Sequence, residues 1–286
     1  MKKAITAAIC TAVSCAVLSL GTLAASETIT YDFGVGSELE KHVKTKNGFH
    51  QELYDGMLSL TCTLGHPVSY VIEDLHLEGY SYISFALACE HIDENSTLEI
   101  ICTTDSGKEY RSIIDYRDTS LSTYIARLPE TDEAITSCEI FVNSILGGDQ
   151  MYYVDLDFVK FHKAKDLMLL TIGSDAVMNG EVKTPDSPAV IKDGYTLTPA
   201  RFVAESFGAN VEWIEAERKV IITNDSVKIE LIIDSTAAFI NGKPTELSVP
   251  ACIIDGRTFT PARFVAENLG ANVDWEAHTK TVIIEK

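Results

Sequence analysis

The sequence is poor in basic charge. Its 286 residues hold 23 Lys and Arg against 42 Asp and Glu, a formal net charge of −19. Such a chain repels nucleic acid and anionic lipid, so no nucleic-acid partner is expected. It has no Gly-x-Ser-x-Gly, no phosphate loop and no His-Glu-x-x-His, which removes three common catalytic signatures. Without Cys-x-x-Cys a structural zinc site has no support. The seven His, at 42, 50, 66, 76, 91, 162 and 278, include no His-x-His pair, although copper sites want converging imidazoles. No Asn-Tyr-Asp or Asn-Tyr-Glu tripeptide occurs. Carboxylates abound, yet none is singled out for acid–base work. No catalytic residue, metal ligand or cofactor is therefore assigned. There are only two Trp.

Among what is there, the first residues come first. Met1-Lys2-Lys3 precedes an apolar run from Ala4 to Leu20, and the small residues Thr22, Ala24 and Ala25 follow. That is the layout of an export signal cut between Ala24 and Glu27. An uncleaved anchor is the alternative, since the run nears the length that spans a bilayer. No other stretch is apolar enough to span a membrane. Five cysteines remain after residue 26: Cys62, Cys89, Cys102, Cys138 and Cys252. The first four fall in phase with apolar neighbours at spacing two, and Cys252 occupies the place Val190 holds in an earlier copy of the same segment, so all five are expected on inward faces as small apolar side chains. Buried free thiols in an exported chain fit an anoxic habitat. A disulfide between neighbouring strands is the other reading.

Residues 27–163 read as short strands with turns and almost no helix. The runs are Ile29–Phe33, Phe49–Tyr54, Met57–Leu64, Tyr70–Leu77, Tyr82–Cys89, Leu98–Thr103, Glu109–Tyr116, Thr123–Leu128, Cys138–Ile145 and Tyr152–Phe161. Strands at this spacing predict an antiparallel β-sandwich. The early Tyr-Asp-Phe strand, the Asp-Gly-Met-Leu-Ser-Leu hairpin and the closing Tyr153-Val-Asp-Leu-Asp-Phe-Val159 resemble the galactose-binding-like jelly roll of carbohydrate-binding modules. That resemblance implies sugar rings stacked on exposed aromatics. The domain has no Trp, which leaves Tyr110, Tyr116 and Tyr124 as ligand-binding candidates; each is also an ordinary half-buried strand residue. In the last strand Val154, Leu156 and Phe158 are expected to face one way and Asp155 and Asp157 the other. With Asp32 those two could ligate calcium, which wants six to eight oxygens. Only three such residues can be named, so a solvated outer face is the favoured reading.

From about residue 164 the chain repeats itself. Thr-Pro-Ala-Arg-Phe-Val-Ala-Glu occurs at 198–205 and 260–267. Gly-Ala-Asn-Val-acid-Trp follows each, at 208–213 and 270–275. An Asp-Gly pair (193–194, 255–256) and an Asn-Gly pair (179–180, 241–242) stand in front. Every matched pair lies 62 apart (261 − 199) with no insertion or deletion, giving units of about 167–224 and 227–286. Thr198-Pro199 and Thr260-Pro261 read as helix starts, with the threonine hydroxyl as cap and Gly208 or Gly270 as a left-handed stop. A helix of about nine residues does not hold alone in water. Pro199, Phe202, Val203 and Ser206, with Phe207 beside them, form one apolar face; Pro261, Phe264, Val265 and Leu269 repeat it. Phe202 and Phe264 are expected as core anchors, each worth roughly 3–5 kcal/mol on truncation to Ala. Asn-Gly and Asp-Gly predict hairpins, and Val220–Ile222, Val282–Ile284 and the alternation Val227, Ile229, Leu231, Ile233 predict strands. Each unit is thus a curled antiparallel sheet on one short helix. Trp213 and Trp275, at matching places, read as core.

The double pattern Asn-Gly, Asp-Gly-Arg-Thr-Phe-Thr-Pro-Ala-Arg-Phe-Val-Ala-Glu, Gly-Ala-Asn-Val-Asp-Trp and Thr-Val-Ile-Ile resembles the copper amine oxidase N-terminal-like domain, also called the stalk domain. Ala200 and Ala262 stand where that family usually has Leu or Val. The resemblance implies an accessory module that binds no copper and carries no catalytic group, found on secreted and cell-surface proteins of Gram-positive, often anaerobic, bacteria. The sequence as a whole then leads to a mainly β, exported, non-catalytic accessory protein. Its binding module would take a polysaccharide or cell-wall glycan and its tandem module would act as spacer. The alternative is an envelope scaffold whose partner is another protein. A cryptic glycan-cleaving carboxylate pair is the third reading.

Overall fold

The computed structural model describes residues 28–33, 43–48, 50–54, 57–63, 66–90, 96–114, 119–143 and 151–286. The export segment 1–26, Tyr116 and the side chain of Asp32 lie outside the described residues. No described helix is long and apolar enough to cross a membrane.

Eleven described strands come first: β1 (Thr28–Asp32), β2 (Val43–Lys46), β3 (His50–Tyr54), β4 (Met57–Thr63), β5 (Val68–Ile72), β6 (Tyr82–Cys89), β7 (Thr97–Thr104), β8 (Glu109–Ile114), β9 (Ser122–Arg127), β10 (Ile135–Asn143) and β11 (Met151–His162). They form two antiparallel sheets, β3-β4-β11-β6-β9 with β1 also on β11, and β2-β5-β10-β7-β8. Alternating apolar positions of both sheets meet in one core that includes Leu58, Tyr70, Phe85, Ile100, Ile140 and Leu156. This is the expected sandwich. β2 was not expected: Val-Lys-Thr-Lys offers a single apolar residue, and only its ladder with β5 makes it a strand. All five cysteines are buried and none forms a disulfide. Cys102 and Cys138 face each other across β7 and β10 with sulfurs 4.0 Å apart. Burial pushes the Cys62 thiol up to about 12, which keeps it protonated and unreactive.

The second part holds β12 (Leu167–Thr171), β13 (Ala176–Met178), β14 (Glu181–Lys183), β15 (Val190–Lys192), β16 (Tyr195–Pro199), α1 (Ala200–Ser206), β17 (Asn210–Ile214) and β18 (Lys219–Thr223). The same series returns as β19 (Lys228–Ile232), β20 (Ala237–Ile240), β21 (Lys243–Glu246), β22 (Cys252–Ile254), β23 (Arg257–Pro261), α2 (Ala262–Asn268), β24 (Asn272–Glu276) and β25 (Thr281–Glu285). All four expected hairpin pairs, Asn179-Gly180, Asp193-Gly194, Asn241-Gly242 and Asp255-Gly256, have both residues at positive φ, the turn that matches strand twist.

The repeats do not close their sheets separately. One five-stranded sheet runs β14-β13-β12-β25-β24 and the other β17-β18-β19-β20-β21, so each joins three strands of one repeat to two of the other. Between them β15-β16-β23-β22 is also shared. Thr198 lies directly opposite Thr260, with Leu197 opposite Pro261 and Pro199 opposite Phe259. Equivalent strands paired antiparallel about equivalent residues define a local dyad. Contrary to the uniform spacing expected from the motifs, the count changes by one residue at the turn between the first two strands of a unit. Met168 pairs with Met178 as Ile229 pairs with Ile240, so the first strands are 61 apart and the second 62. The turn after β19 is one residue longer than the turn after β12.

Two helix details differ from expectation. Pro199 and Pro261 cap the helices, with no side-chain hydrogen bond. Thr198 and Thr260 are fully buried in the β16–β23 pair, and neither hydroxyl meets a partner. The strand runs straight into the helix, so ladder pairing claims the residue that capping would have used. The helix core contacts are Ala200, Val203, Ala204 and, in the second copy, Ala262, Val265, Ala266. Phe202 and Phe264 are half-buried and pack against that core from outside, so they are not its anchors.

The sheet β3-β4-β11-β6-β9 is covered on its second face too along β6, β9 and the end of β11, while Leu53, Met151 and Tyr153 stay exposed. Its outer side presents Tyr82, Ala86, Ile125 and Phe158 to Leu167, Leu169 and Ile283 of the first tandem sheet. Small residues Ser84 and Ala86 on β6 let the sheets approach. Polar groups fringe this seam. Lys160 Nζ binds Asp274 at 2.7 Å and also Glu276. His162 sits between Ser84 Oγ (2.7 Å) and Glu285 (3.0 Å), and Thr28 donates to the same carboxylate.

Candidate binding sites

The aspartates expected as calcium ligands are separated by a β-bulge. Leu156 pairs with Leu87 and Val159 with Phe85, so β11 carries one extra residue there. The bulge turns Phe158 out of the sandwich core and into the seam, against expectation, and Val159 takes the core position. Asp157 is 7% exposed and accepts from His278 Nδ1 at 3.1 Å. It is a seam residue, not part of a solvated face. Among the described residues no three His, Cys, Asp or Glu side chains converge to hold a metal ion.

The tyrosine candidates do not come together. Tyr110 lies on β8 at one sheet edge, with Lys108 Nζ 4.5 Å from its ring centroid. Hydrogen bonds from Lys108 and Thr131 hold its hydroxyl below the usual tyrosine value. Tyr124 belongs to β9 in the other sheet. It is 8% exposed and stacked on Phe85, 5.7 Å between centroids. The core takes its ring, so it is no open platform. Tyr116 is outside the described residues.

Three recesses among the described residues bear on binding instead. The largest of these three, about 870 Å³, lies between the sandwich and the tandem module. Its walls are the end of β8 and the length of β9 on one side and β12 to β14 on the other. Hydroxyl and amide groups of Ser112, Ser122, Thr171, Ser174 and Asn179 share the lining with Ile113 and Val182, which are 75% and 45% exposed. The other two recesses, about 580 and 480 Å³, flank the dyad of the tandem module. Trp213 lines the first and Trp275 the second. Both indoles are half-buried against the core, so they are not core residues as their matching positions suggested. Their place in a strand of period two, beside exposed Glu212 and Asp274, was the available signal.

The family model of the copper amine oxidase N-terminal domain matches residues 142–222 and again 177–284. Together the matches span half of the chain. This chain belongs to that family. The overlap of the two matches follows the duplication, and both include the α1 or α2 segment with its Trp strand. Among solved structures the chain is similar to a family 29 carbohydrate-binding module, at 11% identity and a TM-score of 0.36. That likeness covers 48% of this chain and 93% of the module. It is likewise similar to an agarase, at 15% identity and a TM-score of 0.36, over 47% of this chain. The chain spans about a quarter, 24%, of the agarase. At that depth neither likeness brings a function to this chain. No curated protein matches the sequence.

Proposed function

We propose that the protein is an exported, non-catalytic accessory protein that holds a polysaccharide segment in the cleft between its two parts. The lining of that cleft carries the reading. Ligand sites favour domain junctions and combine apolar walls with a few polar groups. Here the polar groups are mostly hydroxyls and an amide, and the apolar ones are exposed aliphatic side chains. A sugar ring has the complementary surface, with C–H faces and a rim of hydroxyls. Arg127, Asp175 and Glu181 are the charged groups of the lining, so no strong charge selects the ligand. The apolar run at 4–20 behind Lys2 and Lys3 supports export to the cell surface.

Incubation of the purified protein with insoluble glycans, with and without calcium, is the test. Retention that Ile113→Asp weakens about tenfold is the expected outcome; no retention by any glycan would sink the reading. Reducing-end release from the bound glycan should be absent, and its appearance would make the protein an enzyme. Recovery of the chain with residues 1–26 intact from the cytosol would remove the export claim. One observation favours a protein partner as the second reading: β8 is a sheet-edge strand, open to strand addition beside the exposed Ile113. Pulldown from envelope extract, with Ile113→Pro as the blocking variant, separates the two.

A further inference from the structure

The two smaller recesses are copies of one another. Each takes its floor from one repeat and its far wall from the other. The first combines Trp213 and Arg201 with Ile253 and Arg257. The second combines Trp275 and Arg263 with Ile191 and Tyr195. Ile191 and Ile253 hold the same place in the two repeats, and they are 49% and 42% exposed. A single exposed aliphatic residue needs no explanation. The same residue exposed at both matching sites, each time across from a half-buried indole, forms an apolar slot twice.

The chemistry of the rim narrows the occupant. Arg201 is paired with Glu205 at 2.9 Å, Arg257 with Asp186 at 2.8 Å and Arg263 with Glu267 at 3.3 Å. These guanidiniums keep planar donors at the rim while their charge is balanced. An anionic ligand would meet the carboxylates, and a cationic one the guanidiniums. An uncharged ring with one apolar face and hydrogen-bonding edges fits both features. The dyad adds the second constraint, because two matching slots on one module suit a ligand that repeats. From these facts we infer that the tandem module carries two sugar-ring sites, floored by Trp213 and Trp275, which grip two points along one uncharged polysaccharide chain. This rests on the glycan reading and moves part of the binding from the interdomain cleft to the dyad. The two slots are not identical. Each has two aromatic rings, Trp213 with Phe202 in the first and Trp275 with Tyr195, which stands in the place of Arg257, in the second.

The sequence supplies its own probe, because its two Trp are the two slot residues. Trp213→Phe and Trp275→Phe each leave one indole reporting on one slot. The full chain is titrated with soluble mannan, xylan and β-1,3-glucan, and with their hexasaccharides. At least one glycan should change the fluorescence of both single-Trp variants saturably. The polymer should bind the parent at least about tenfold tighter than its hexasaccharide, since the second contact is intramolecular. Ile191→Asp or Ile253→Asp, surface changes that leave both indoles in place, should abolish that advantage with the circular dichroism spectrum unchanged. Retention on glycan with silent indoles and unaffected Ile191→Asp and Ile253→Asp variants would overturn the inference and leave the cleft reading standing. No retention and no fluorescence change would overturn both. A fluorescence response to a decaproline peptide, with none to any glycan, would make the slots peptide sites and overturn the sugar assignment.

Discussion

The two five-stranded sheets of the tandem module are built from matching strands, yet they live in different surroundings. In the first, β25 is buried along its whole length; in the second, its counterpart β18 alternates buried and half-exposed. Ile283 is 1% exposed, whereas Ile221, the same residue of the repeat, is half-exposed. The sandwich makes the difference by covering the outer face of the first sheet. The sequence contains the distinction. The outward positions of β12 are Leu167 and Leu169; those of β19 are Lys228 and Glu230, paired with each other at 2.8 Å. Period-two alternation marks a sheet wet on one face, and a continuous apolar run marks one covered on both. The run Leu-Met-Leu-Leu at 167–170 is the local mark of that cover.

The largest expected effect sets one substitution against its copy. Ile283→Ser should cost about 3 kcal/mol by removing a fully buried side chain from the seam. Ile221→Ser should cost under about 1 kcal/mol. Denaturant unfolding of both variants measures the difference, and equal losses would erase the distinction between the sheets. Next comes the seam lysine. Lys160→Met leaves Asp274 and Glu276 without their cation. A buried broken pair costs roughly 3–5 kcal/mol, but both carboxylates reach water, which lowers the expected loss to about 2 kcal/mol.

The pH dependence follows the same group. Burial opposes the charge of Lys160, but hydrogen bonds to Asp274 and Glu276 outweigh it and hold its pKa above the ordinary 10.5. Its contribution is complete below that value and is lost as pH rises through the raised one. Burial also opposes ionised Asp274, yet Lys160 wins and holds it below 3.8, so that contribution fades as pH falls through the lowered value. At Glu276 burial prevails over Lys160 and raises the pKa, so its ionisation works against folding and offsets part of the acid loss. Thermal midpoints against pH should therefore fall at the alkaline end in the parent and flatten there in Lys160→Met. The smallest effect tests the symmetry of the dyad. Thr198→Val and Thr260→Val replace buried hydroxyls that have no partner, and each should raise stability by about 1 kcal/mol. Unequal gains in the two variants would show that the repeats are not equivalent at their centre.

Several parts of the fold were legible from local chemistry. The four Asn-Gly and Asp-Gly pairs could only be turns of one hand, and Gly208 and Gly270 end the helices at positive φ as their position requires. The inward cysteines followed from spacing. Sites were less legible. Tyr124 and the two Trp have similar strand contexts, and only packing put the first in the core and left the others at a surface. Thr198 had the composition of a cap and became a ladder residue because another strand lay beside it.

By itself the sequence determined the duplication, the strand and turn types and which face of each strand is apolar, because these depend on side chains a few residues apart. Tertiary structure alone decided that the repeats exchange strands, that a bulge sends Phe158 out of one core and into the seam, and that Trp213 faces a wall from the other repeat. An apolar face requires cover but does not name the surface that supplies it. That choice is made by segments tens of residues away, competing for the same area.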